Sequence, residues 1–474
     1  ICRIWFETNN GEDVMLYCFN FKPMNDKFLL TNDFGNYCFL SNDDFKELMS
    51  THKVSNQDKL EELEDKGFIY DCSREEFIVK YTDYIRSMKQ YIFQSTSLHI
   101  FVVTTDCNGD CIYCQAKSKH SAKKGYMSKE TAKMAVDIAI ASPSNNMSFE
   151  FQGGEPLMNF EVIRYIVDYT KSVTDKNINF NIVSNLTLLN DEMIDYIVQN
   201  DISLSTSLDG NAEIHNHNRP FLGSEQGMYE VVNKRINYLR ERNIGIGAIQ
   251  TTTLFSLDKS KKIIDEYVRQ GMNSIFIRPL TPLGMAAERW NKIGYTPEQF
   301  CDFYRESLEY ILQLNKDGIH LSEGHARIFL RKILLQYSEN YMELRSPCGG
   351  GLGQLAYYHD GNIYTCDEAR MLSEMGDNSF YVGNVRTDNF ETITSSPACK
   401  AVCKASVVES LPTCSQCVYN VYCGVCPVVN YAANNDIYEI TPFNYRCRLY
   451  RGMLDIIFTM LENDDNKSIF RTWI

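Results

Sequence analysis

The chain has 474 residues, 44% hydrophobic and 23% charged, with a formal net charge of −14. That length predicts two or three cores. The acidic balance opposes phosphate backbones, so nucleic acid is not an expected partner. No apolar run is long enough to span a bilayer, no signal-like segment opens the chain, and the expected location is cytoplasmic.

In chain order, residues 1–90 predict a small α+β unit. "VMLYCFNF", "KFLLTND" and "FGNYCFLS" are β-rich. "SNDDFKELMSTH" opens on capping residues and spaces Phe45, Leu48 and Met49 helically. "DKLEELEDKG" predicts a second helix closed by Gly67.

From about 96 to 280, β-branched runs alternate with amphipathic helices. The runs are "LHIFVVTT", "MSFEFQGG", "INFNIVSN", "ISLSTSLDG", "IGIGAIQTT" and "SIFIRPL". "SKETAKMAVDIAIA", with Ser128 as N-cap, typifies the helices. Five or six βα units in series predict parallel strands with right-handed crossovers. The expected fold class is α/β, a partial (β/α)6 TIM-like barrel. No G-x-G-x-x-G follows the first strand, which argues against a dinucleotide fold. The expected organisation is 1–90, a barrel over 91–285, bridging helices over 286–345, a cysteine-rich unit over 346–450, and a C-terminal helix over 451–474.

Seventeen cysteines in a chain without a secretory signal point to metals or catalysis before disulfides. Cys2, Cys18, Cys38, Cys72 and Cys301 are scattered and read as small buried hydrophobes. Cys107, Cys111 and Cys114 form "CNGDCIYC" directly after the first barrel strand. Strand ends on that face carry the chemistry of such barrels. A structural zinc site wants four ligands, and a thioredoxin-like pair wants one C-x-x-C. Three thiols over a barrel mouth suit an iron–sulfur cluster with one iron left unligated by protein.

That spacing on that strand resembles the radical S-adenosylmethionine (SAM) enzymes. The resemblance implies that the three cysteines hold a [4Fe-4S] cluster whose fourth iron is chelated by SAM. Reductive cleavage there yields a 5′-deoxyadenosyl radical that takes a substrate hydrogen. It further implies Tyr113 near the adenine, and Gly153, Gly154 and Glu155 ("FQGGEP") at the SAM amino group. Ser184 and Asn185 match a ribose position. Ser207, Asp209 and Arg219 are placed near the SAM carboxylate or the substrate, and Leu280 against the adenine.

"CSQCVYNVYCGVC", with Cys348, Gly361, Cys366 and Cys447, resembles the SPASM extension of peptide-modifying relatives. Cys423 and Cys426 are separated by two residues where the general pattern has three. The resemblance implies two auxiliary [4Fe-4S] clusters, hence three in all. Cys414, Cys417, Cys423 and Cys447 would hold the distal one, and Cys348, Cys366 and Cys426 the nearer one. The nearer set is one ligand short, which Cys399 or Cys403 would complete unless the site stays open. Asp367 matches a proposed general base in sulfatase-maturing relatives.

"LTNDFGNYCFLSNDDFKELM" (30–49) and "CVYNVYCGVCPVVNYAANND" (417–436) resemble maturases of His-Xaa-Ser-type ribosomal peptides (RiPPs), including cyclophane formers. The first 90 residues resemble a winged-helix peptide-recognition domain. Implied partners are a ribosomal precursor peptide and a flavodoxin- or ferredoxin-like reductant. The expected activity is oxidoreductive crosslinking of that peptide. The alternatives are a formylglycine-forming maturase and a non-catalytic zinc-binding adaptor.

Overall fold

The strand Leu98–Thr104 is buried along nearly its whole length, on both faces. A strand of this kind belongs in the middle of a parallel sheet with both faces covered. The computed structural model describes residues 15–119, 124–337, 339–439 and 441–474, and it places this strand inside a ten-stranded sheet. Cys2 and the start of "VMLYCFNF" lie outside the described residues.

Five short strands come first: β1 (Met15–Leu16), β2 (Phe19–Met24), β3 (Lys27–Asn32), β4 (Tyr37–Ser41) and β5 (Ile69–Tyr70). β2, β3 and β4 make an antiparallel sheet, and β1 pairs with β5. Helix Asn42–Thr51 is capped by Ser41, whose hydroxyl accepts the Asp44 amide. Leu30, Leu40, Phe45, Leu48 and Leu63 close a separate core. A third helix, Arg74–Met88, goes beyond the expectation for this region. Its signal was the capping box formed by Ser73 and Glu76.

The expected barrel strands follow as β6 (Leu98–Thr104), β7 (Asn146–Gly153), β8 (Asn177–Val183), β9 (Ser203–Ser207), β10 (Ile246–Thr251) and β11 (Ser274–Arg278). They pair in that order, all parallel. The sheet is wider than six strands. A two-residue seventh, β12 (Ser322–Glu323), adds to β11. On the other edge β13 (Gln354–Tyr357) pairs in parallel with β6, followed by antiparallel β14 (Asn362–Tyr364) and β15 (Tyr381–Asn384). The sheet therefore stays open between β12 and β15. β13 is buried along its whole length, so the cysteine-rich segment shares the barrel's core.

Helix Tyr445–Leu461 packs on helix Pro297–Lys316. Gly452 gives the close approach, since a Cβ there would lie 2.2 Å from Cys301 Sγ. The N-terminal unit docks on the same C-terminal helix: Lys27 pairs with Glu462 at 2.7 Å, and Tyr37 and Phe39 pack edge-on to Phe458. Among the described residues no helix is long and apolar enough to cross a membrane. Of the scattered cysteines, Cys38 and Cys301 are buried and Cys18 and Cys72 are half-buried.

Candidate active site: three groups of thiols around an open sheet

The cysteine loop leaves β6 at its carboxyl end and is strapped from two sides. The segment after β9 holds it through Asp110 N–H to the Pro220 carbonyl and Ile112 N–H to the Asn218 carbonyl, both 2.9 Å. The segment after β11 holds it through Met285 N–H, which reaches the Cys114 and Lys117 carbonyls at 2.9 and 2.8 Å. Cys107 and Cys111 face one another across Gly109, whose Cβ would sit 3.5 and 3.8 Å from their sulfurs.

The two glycines after β7 have a role the residues alone did not reveal. A Cβ on Gly153 would lie 2.0 Å from the Thr104 carbonyl oxygen, and one on Gly154 2.1 Å from that of Asp106. Both amide positions are therefore pressed against the root of the cysteine loop. Gly154 N–H donates to Thr104 O and Glu155 N–H to Asp106 O, each at 2.8 Å.

Glu155 is buried beside that root. It accepts from Ser184 Oγ at 2.7 Å, from Asn185 N–H at 2.8 Å and from Leu157 N–H at 3.1 Å. Burial raises its pKa and these hydrogen bonds oppose the rise. Asn185 in turn donates to Asn108 within the cysteine loop at 2.9 Å. Asn108 belongs to this group, though its place between two cysteines drew no attention in the sequence.

The second nest centres on Asp209, which is fully buried. It accepts from the Tyr113 hydroxyl, from Asn218 Nδ2 at 3.2 Å, from Arg219 Nε at 3.3 Å and from Thr251 N–H at 3.2 Å. The Arg219 guanidinium lies 5.3 Å from the Tyr113 ring centre. The structure thus joins Tyr113, Asp209 and Arg219. Ser207, at the end of β9, is half-buried and makes no hydrogen bond to this group among the described residues. Leu280 is buried, its N–H donating to the Tyr295 hydroxyl at 2.6 Å.

Burial pushes the Cys107 thiol up to about 12 and Cys111 up to about 11, and raises Cys114. A thiol withdrawn from water resists ionisation unless a metal takes the proton's place, so three half-buried thiols on one loop fit iron better than free nucleophilic chemistry. Gly109 N–H points at Cys107 Sγ from 3.3 Å, a contact that stabilises a thiolate.

Two further groups lie in the cysteine-rich segment. Cys348, Cys366 and Cys426 share one buried cluster with Val402 and Val428. Gly350 N–H points at Cys348 Sγ and Ala369 N–H at Cys366 Sγ, both 3.4 Å. Cys414, Cys417, Cys423 and Cys447 line a cavity of about 250 Å³ together with Arg451. Cys426 lines the same cavity, so it stands between the two groups. Cys399 takes another course: its thiol donates to the Ile393 carbonyl at 3.4 Å. Asp367 is held by Arg370, whose Nε lies 3.1 Å from its carboxylate.

Between the first thiol group and the other two, Glu343 bridges Arg278 at 3.2 Å and Arg446 at 3.1 Å. Arg278 ends β11 and Arg446 precedes Cys447, so this half-buried triad ties the sheet to the cysteine-rich segment. No local motif announced it.

Residues 101–266 match the radical SAM superfamily, and residues 348–418 match the SPASM iron-sulfur cluster-binding domain. An uncharacterized protein of Methanocaldococcus jannaschii is 28% identical over 58% of this chain and 87% of its own. An AdoMet-dependent heme synthase of Methanosarcina barkeri is 25% identical over 72% of this chain and 94% of its own. Among solved structures, anSMEcpe with bound AdoMet superposes with a TM-score of 0.66 at 20% identity, covering 78% of this chain and 99% of that one. Streptococcus suis SuiB bound to precursor peptide SuiA gives 0.54 at 12% identity, covering 89% and 96%.

Proposed function

Since the chain is a radical SAM enzyme carrying a SPASM iron–sulfur domain, we propose that it modifies a ribosomally made precursor peptide by installing a crosslink on it. The observation that carries the reading is the convergence of Cys107 and Cys111 across Gly109, with the Glu155 and Asp209 nests each hydrogen-bonded to the same loop. When bound, the cofactors supply one-electron chemistry that starts with removal of a substrate hydrogen atom.

The residues divide the remaining work. Cys107, Cys111 and Cys114 hold the first cluster. Glu155, a buried acceptor at the end of β7, takes the SAM amino group, and Ser184 and Asn185 hold its carboxylate in place. Arg219, itself anchored by Asp209, faces the SAM carboxylate, and Tyr113 and Leu280 border the adenine. Asp209 keeps the Arg219 charge paired where water is excluded.

The distal thiols and the Cys348 group would hold the auxiliary clusters, which would pass the surplus electron to an oxidised flavodoxin- or ferredoxin-like acceptor. The N-terminal unit recognises the peptide. Its three-stranded sheet is separate from the main one and rests on the C-terminal helix, beside the distal thiols: Asn20 Nδ2 donates to the Cys417 carbonyl at 3.2 Å. A separate sheet offers an edge to which an extended peptide can add a strand. SuiB, a solved structure of similar fold, was determined with a precursor peptide.

The test is co-expression with candidate precursor peptides, followed by mass analysis. A crosslink between two C–H positions appears as the loss of two hydrogen atoms, together with release of 5′-deoxyadenosine. A formylglycine product from a Cys-containing peptide would replace this reading with the alternative maturase. Release of 5′-deoxyadenosine by Cys111→Ala would overturn the assignment of the first thiol group.

A further inference from the structure

We propose that Arg345 is the counter-charge of the metal centre at Cys348 and keeps the reduction potential of that centre high. This rests on the reading that Cys348 ligates an auxiliary iron–sulfur cluster, and it deepens the proposal that this cluster takes up the surplus electron.

Three arginines are buried among the described residues: Arg219, Arg345 and Arg370. Arg219 meets Asp209, and Arg370 meets Asp367. Arg345 is 2% exposed, and its polar contacts are all to neutral groups. Its Nε donates to the Pro347 carbonyl at 3.0 Å and its Nη1 to Asn340 Oδ1 at 2.5 Å. Its guanidinium carbon lies 4.4 Å from the Tyr91 ring centre. The acids around it are engaged elsewhere. Glu343, two residues earlier, serves Arg278 and Arg446 at 3.2 and 3.1 Å. Glu409 meets the Ser346 hydroxyl and pairs with Lys89. A charge withdrawn from water is strongly unfavourable unless an anion balances it.

The contact to Pro347 says where that anion belongs. The Pro347 carbonyl is bonded to the Cys348 nitrogen, so standard bond lengths put Arg345 Nε within about 9 Å of Cys348 Sγ. Cys348 is held from both sides: its N–H donates to Ser406 Oγ at 2.9 Å, and Gly350 N–H points at its sulfur from 3.4 Å. Gly353 leaves room for the guanidinium, since a Cβ there would lie 2.8 Å from Nη1.

Thiolates outweigh the charge of a four-iron core, so the centre is an anion, and more so once it has accepted an electron. A cation at that separation, with water excluded, favours the reduced form. Its removal should make reduction about tenfold less favourable, about 59 mV for a one-electron step. An ionised Cys403, half-buried on helix Pro397–Lys404, is the competing counter-charge. With Cys403 in that role, loss of Arg345 would leave every cluster's potential in place.

The experiment uses the full chain, reconstituted anaerobically and titrated under EPR. The first cluster is recognised by the change in its signal on adding SAM. The unaltered chain is compared with Arg345→Met, Arg345→Gln and Arg345→Lys. Expected is a downward shift of about 59 mV in one auxiliary reduction step in the Met and Gln variants, with the first cluster's step unmoved. The Lys variant keeps the charge and stays near the unaltered value. The shifted step should vanish in Cys348→Ala, which assigns it to this centre. The SAM-dependent signal reports an intact fold, and the Gln and Lys pair decides the matter if the Met variant fails to fold. A purely structural role would lower iron content in all three variants alike and leave surviving potentials in place, which overturns the proposal. So do unmoved potentials in the Met and Gln variants, an equal shift in the Lys variant, or a shifted step that survives Cys348→Ala. If Cys348→Ala changes neither iron content nor any reduction step, the cluster at Cys348 is itself refuted and the proposal falls with it, a result distinct from unmoved potentials.

Discussion

The Tyr113 hydroxyl donates to both carboxylate oxygens of Asp209, at 3.0 and 2.8 Å. One residue comes from the cysteine loop and the other from the end of β9, so this contact fixes the loop to the sheet. Asp209 is fully buried and its partner Arg219 nearly so. Asp209→Asn should therefore lower stability by about 3–5 kcal/mol, because it strands a buried guanidinium. Tyr113→Phe should cost less, about 1.5–3 kcal/mol, since Arg219, Asn218 and the Thr251 amide still serve the carboxylate. Anaerobic urea unfolding of both variants checks the order.

Gly154→Ala tests the seating of the cysteine loop. The added methyl meets backbone, not a flexible side chain, so the loop must move. After anaerobic reconstitution the iron content should fall from about twelve to about eight per chain, with the auxiliary clusters retained. Full iron occupancy would show that the loop accommodates the methyl.

Replacing Cys414 and Cys417 together should remove about four irons and leave the first cluster's SAM-dependent EPR change intact. The four distal thiols and Cys426 line one cavity, which no residue of the cysteine loop on β6 lines. Loss of all three clusters would instead mean that the distal group holds the fold together.

Three histidines make stability rise with pH in the acid range. Burial lowers His99 to about 3, and lowers His215 and His325 to about 4, from an ordinary value near 6.5. Above pH 6.5 they are neutral in both states and their contribution is fully present. As the pH falls from 6.5 through 4 toward 3, the unfolded chain binds protons that the folded chain refuses, and the contribution is lost. Urea midpoints should drop between pH 7 and 5, and His325→Gln should flatten that slope.

How far the sequence reached depends on the range of the interaction. The six strands β6 to β11 were readable because each is a short contiguous run with β-branched or aromatic residues. The Ser128 cap was equally local: its side chain accepts the Thr131 amide three residues on. The helix Arg74–Met88 carried a local signal too, the Ser73–Glu76 capping box, that went unused. β12 is two residues long and β13 four, too short for periodicity to show. Gly153 and Gly154 looked like ligand-facing glycines, whereas their nearest neighbour is the chain's own loop.

By itself the sequence determined the order of the βα units and the spacing of three thiols after the first strand. These follow from chain-local periodicity and from motifs a few residues wide. Only the tertiary structure decided that the sheet stays open and is extended by β13 to β15. Only it decided that Asp209 serves Tyr113 and Arg219 at once, and that Glu343 joins Arg278 to Arg446. Those pairings cross long stretches of chain, and which buried charge meets which is set by how the packed elements bring them together.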